Sequence, residues 1–170
     1  MKHSLGLILA AALAAVVLAP PARAAGSLQT ALTGAYGRQC AAVKTANYTA
    51  YSNSMTSDFI NVDPAGKTSN RNQTMTQLKG ALTDVKFTKC SVTFVSTPQE
   101  KNGLATASVV LSQDGTGGGT TPIVSVARQT DTWSLVNGAW LLKRSVVAET
   151  TVTVAGHVMQ HEGSAATPKP

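Results

Sequence analysis

The pair Asn137-Gly138 constrains this chain more than any other two residues. It lies between two apolar-rich runs within residues 123–148. Asn-Gly between strand-like segments predicts a two-residue hairpin, because a type I′ turn needs positive φ at both central positions. That turn sets a register: Val136 faces Ala139, Leu135 faces Trp140, Trp133 faces Leu142, and Asp131 faces Arg144. One side of the ribbon then carries both tryptophans, two leucines and an opposite-charge pair. The remaining chain must cover that face.

Residues 1–24 read as a secretory leader. Lys2 and His3 begin it, residues 5–18 are apolar, and Ala22-Arg23-Ala24 offers a small-x-small cleavage site. The apolar run is shorter than the roughly 20 residues a spanning helix needs. No cysteine lies near the site, so a lipid anchor is not expected. The predicted location is a bacterial periplasm or the extracellular space. Residues 25–155 form one domain in this reading, and residues 156–170 a disordered tail. Of the 14 basic residues, Lys2 and Arg23 fall in the leader, leaving a modest excess over 8 acidic ones. The bases are scattered rather than striped among aromatics, so no nucleic-acid partner is expected. Cys40 and Cys90 read as one disulfide in an exported chain. With no CxxC spacing, a nucleophilic or metal-binding pair is the lesser reading.

Along the chain, Leu28, Leu32, Tyr36 and Cys40 recur at helical spacing, predicting a helix from residue 28 to about 55, broken once. Tyr36, Tyr48 and Tyr51 all sit on it, either packed in the core or with a hydroxyl in a pocket. Asp63-Pro64-Ala65-Gly66 predicts a turn, and Asn70 with Gln73 a capping box before a second helix. From Val85 the period changes to two, giving four strands in meander order. Residues 114–119 read as a flexible glycine-rich loop, not a phosphate loop, since no helix with a lysine follows. His157 and His161, beside Glu162, have the spacing of a helical metal pair but no third ligand. No metal and no cofactor are predicted. The fold class is α+β: N-terminal helices packed on a strongly curved antiparallel sheet of four or more strands, with a pocket at its open end.

Three runs then match a known pattern: Ala127-Arg128-Gln129-Thr130-Asp131-Thr132-Trp133, Asn137-Gly138-Ala139-Trp140 and Lys143-Arg144-Ser145. Together they resemble the closing hairpin of SnoaL-like domains in the nuclear transport factor 2-like superfamily. Asp58-Phe59 with Asp63-Pro64-Ala65-Gly66-Lys67 resembles the segment after the long helix of those domains. The resemblance implies a cone-shaped half-barrel, a hydrophobic pocket and frequent homodimers. It does not imply one activity, since the superfamily holds isomerases, cyclases, dehydratases, hydrolases and binding modules. Its isomerases use pocket carboxylates with a tyrosine hydroxyl.

Candidate pocket residues are Trp133, Trp140, Leu142, Arg144, Tyr36 and Tyr48; the catalytic candidates are Asp131 and Tyr36. Asp131 with Arg144 reads first as a structural ion pair, and a base clamped by arginine is a poor base at neutral pH. Arg128 falls on the other face near Glu149, suited to a sheet-surface or dimer contact. Two functional readings stand. One is a non-catalytic module binding a small apolar or amphipathic ligand. The other is a small-molecule isomerase or lyase using Asp131 with a helix-1 tyrosine. They separate on whether the Asp131 carboxylate lines an open cavity.

Overall fold

A computed structural model describes residues 25–163. The leader read from residues 1–24 and the end of the tail, residues 164–170, lie outside the described residues. The first helix, α1 (Ala25–Lys44), buries Leu28, Leu32, Tyr36, Cys40 and Val43, the stripe that four-residue spacing predicts. It stops earlier than expected. Ala46 adopts positive φ, and Asn47 caps the short α2 (Tyr48–Asn53) by accepting from the Ala50 amide at 2.9 Å. Met55 is not helical; it opens β1 (Met55–Val62). A turn closed by the Lys67 amide on Asp63 Oδ1 at 2.8 Å leads to β2 (Thr68–Asn70). Helix α3 (Arg71–Asp84) starts with the reciprocal capping box between Asn70 and Gln73.

The strands β3 (Val85–Phe94), β4 (Gln99–Lys101), β5 (Leu104–Gly117), β6 (Thr121–Val136), β7 (Ala139–Val154) and β8 (His157–Gly163) complete an eight-stranded sheet. Its main order is β2-β1-β7-β6-β5-β3. Consecutive neighbours are antiparallel except β1 on β7, which is parallel, so the curved open sheet is mixed. The helices cover one face. Leu32, Tyr36, Phe59, Ala107, Val109, Trp133, Trp140 and Leu142 meet there in one core. Cys40 and Cys90 are disulfide-bonded, with Cα atoms 5.3 Å apart, and clip α1 to β3.

Two further expectations change. Residues 114–117 are not loop but the end of β5, paired with β3 and β6. Gly115 is there because the strands nearly touch: a Cβ would lie 2.4 Å from the Lys86 carbonyl oxygen, beside a bulge at Thr88. Residues 157–163, expected in a disordered tail, form β8 along β7 after a turn at Ala155-Gly156. His157 and His161 therefore lie on a strand, where four residues span roughly 13 Å. That is not the helical spacing on which a shared metal depends. Among the described residues no three His, Cys, Asp or Glu side chains gather as a metal site. No described helix is long and apolar enough to cross a membrane.

Candidate functional site

The hairpin turn forms as predicted, with φ of 49° at Asn137 and 80° at Gly138. The pairs Val136–Ala139, Leu135–Trp140 and Trp133–Leu142 follow. The register then slips by one residue at Lys143, so Asp131 faces Ser145 and Arg144 faces Thr132. The predicted Asp131–Arg144 pair does not exist. Lys143 and Arg144 are consecutive bases between the buried Leu142 and Ser145, and strict alternation would drive one of them into the core. The bulge removes that conflict. Lys143 pairs with Asp58, whose carboxyl it holds below the usual range, and Arg144 is exposed.

Asp131 is fully buried with no cation beside it. Its neighbours are neutral donors. The Tyr36 hydroxyl donates to Oδ2 at 2.6 Å, and Gln129 Nε2 lies 3.0 Å from Oδ1 and 2.8 Å from Oδ2. The Ser145 hydroxyl faces the same carboxyl across the hairpin. Burial raises the Asp131 pKa against the opposing pull of Tyr36, Ser145 and Gln129. The Tyr36 oxygen in turn accepts from Trp133 Nε1 at 3.3 Å, and the two rings meet edge to face with centroids 4.7 Å apart. Burial, then the Asp131 charge, raises the Tyr36 pKa far above its ordinary value, so its proton stays on the oxygen. The same two causes push Tyr51 up to about 12.

In front of this chain lies a cavity of about 100 Å³ between α1, β1, α3 and the sheet. Tyr36, Gln39, Tyr51, Gln113, Gln129 and Ser145 supply its polar wall; Phe59, Val92, Leu111 and Leu142 supply apolar surface. Asp131 does not line it: the carboxylate sits behind Tyr36, Gln129 and Ser145. No Asp, Glu, His, Lys or Arg lines the cavity among the described residues. Of the predicted site residues, Tyr36 and Leu142 reach it. Trp133 lies beneath Tyr36 and Trp140 faces a separate groove. Tyr48 is half-buried outside, with Lys79 Nζ 5.6 Å from its ring centroid. Sequence reading did not single out Gln39, Gln113, Gln129 and Ser145. Gln129 was within reach, because alternation puts it on the same inward face as Asp131.

An α+β domain with helices in the hollow of an open curved sheet is the class these features define. No family model and no curated protein matches the chain. Solved structures do. An NTF2-like protein from Cytophaga hutchinsonii superposes with a TM-score of 0.58 at 11% identity, over 70% of this chain and 95% of that one. A putative scytalone dehydratase from Novosphingobium aromaticivorans gives 0.62 at 13%, over 85% and 98%. A ketosteroid isomerase-like protein from Erwinia carotovora atroseptica gives 0.57 at 13%, over 77% and 95%. The chain has the nuclear transport factor 2-like fold.

Proposed function

We propose that this protein is an exported binding module that holds a small neutral, largely apolar ligand in the Tyr36–Gln129 cavity without chemical turnover. One observation carries the reading: among the described residues, no group able to take a proton at neutral pH faces the cavity. Proton transfer needs a base within hydrogen-bond reach of the ligand. Asp131, the nearest carboxylate, has its oxygens occupied by Tyr36 and Gln129 and has no exposed surface. Tyr36 and Tyr51 stay protonated. Among the described residues no cation lines the cavity to hold an anion, which favours a neutral occupant. An apolar cavity of about 150 Å³ holds benzene, so a volume of about 100 Å³ suits one small ring or branched group, with any remainder outside. Export is supported by the leader pattern and by the Cys40–Cys90 bond, which fits an oxidising compartment. The outer sheet face, with Arg128 3.4 Å from Glu149, is the surface this reading gives to a homodimer.

The test is native mass spectrometry of the protein from its own host. A co-purifying neutral molecule, absent when Leu111→Trp fills the cavity, is the expected result. A molecule that is turned over, with turnover lost but binding kept in Asp131→Asn, would replace this reading with the isomerase or lyase one. Amino-terminal sequencing of the exported protein should begin at Ala25.

A further inference from the structure

A second concavity lies on the other flank of α1, where α1, α2 and the start of β7 enclose a groove of about 680 Å³. That volume falls in the range of roughly 300–1,000 Å³ typical of small-molecule sites. Short apolar side chains line much of it, Ala31 and Ala42 of α1, Ala50 of α2, and Ala139 and Leu141 beside Trp140, and Thr45, Asn47, Asn53 and Ser54 add neutral polar groups. Among the described residues, Arg38 is the only charged one lining it, and no carboxylate does so. Arg38 is exposed and has no hydrogen-bond or ion-pair partner among the described residues. Trp140, itself 4% exposed, also lines the groove, with its Nε1–H buried away from solvent. Arg38 is thus an unpaired cation beside an alanine-rich wall, and the pair complements a ligand with one anionic group and an apolar body.

We propose that this groove binds a small amphipathic monocarboxylate. The carboxylate lies on the Arg38 guanidinium, whose paired N–H groups match its two oxygens. The apolar body lies along the alanines towards Trp140. The site is separate from the inner cavity, which opens on the opposite side of α1 through Tyr36, Gln39 and Val43.

Calorimetric titration of the purified protein with octanoate, octanol and octylamine tests the assignment. Octanoate should bind, with octanol and octylamine at least tenfold weaker. Arg38→Gln should weaken octanoate at least tenfold, and Ala41→Trp, at an exposed groove position, should abolish binding. Circular dichroism should show both variants folded. Leu111→Trp, which fills the inner cavity, should leave octanoate affinity unchanged, so this assignment and the proposed function fail separately. Equal affinity for octanoate and octanol, no loss in Arg38→Gln, or no heat at millimolar octanoate would overturn it. So would a dimer in solution that Ala41→Trp converts to a monomer, since the occupant would then be a second copy.

Discussion

Asp131 is a carboxyl group held by neutral donors alone, which gives it a definite pH signature. Burial raises its folded-state pKa above the ordinary 3.8, so the folded state binds the proton more tightly than the unfolded chain. Its favourable contribution is complete below that ordinary value and is lost as pH rises through the folded pKa. Melting temperature measured upward from pH 4 should fall more steeply in the parent than in Asp131→Asn; parallel curves would sink the assignment. Tyr36 and Tyr51 work in the same sense at alkaline pH. Both are raised above 10.0, Tyr51 to about 12, so stability should decline once the unfolded tyrosines ionise, near pH 10. Absorbance at 295 nm should show two tyrosines still protonated at pH 10.5 until the protein unfolds. Tyr36→Phe removes the donor to Asp131 and the acceptor of Trp133, at an expected cost of about 1–3 kcal/mol by denaturant titration. Periodicity put Asp131 and Tyr36 on core-facing stripes, and the resemblance to SnoaL-like domains suggested joining the carboxylate to a helix-1 tyrosine, Tyr36 or Tyr48. Neither indicated that a bulge would remove Arg144, although the adjacent bases Lys143-Arg144 contained the reason.

Turns and caps were legible because each depends on a few adjacent residues. Asn137-Gly138 and the Asn70–Gln73 box form where the local chemistry predicts them. Strand extents were less legible, because they are set by partners distant in sequence. Gly115 looks like loop chemistry, yet it is in β5 because the Lys86 backbone leaves no space for a side chain. Gly115→Val should therefore destabilise the sheet by several kcal/mol, on the order of a severe core overpacking. Gly138→Val, at an exposed turn with φ of 80°, should cost about 1–2 kcal/mol from backbone strain alone. Urea midpoints of the two variants would check that order, and a larger loss at Gly138 would contradict it. β8 was missed because its residues are exposed throughout. Its place is set by backbone pairing to β7, which leaves no apolar alternation to detect.

Over the whole molecule, the Cys40–Cys90 bond closes a loop of 50 residues. In the chain-entropy model it contributes about 4 kcal/mol. Reduction should lower the melting temperature by roughly 10 °C, taking about 2–4 °C per kcal/mol for a domain near this size. A shift under 3 °C would mean that the unfolded chain stays compact without the bond. The fold class was readable from helices preceding long alternating strands. The parallel contact of β1 with β7 was not, because nothing local marks a pairing between residues so far apart. That contact also governs the order in which the chain can assemble. One edge of β7 receives β1 along Leu142–Val146 and β8 along Glu149–Val154, while β6 holds the other edge. A chain emerging amino-terminus first has β1 ready long before its partner exists. Until residues 139–154 arrive, β1 and β2 are an unpaired edge, open to wrong partners. A protein built this way gains from being kept unfolded until its last strands are available, and a chain stopped before residue 139 should not fold at all.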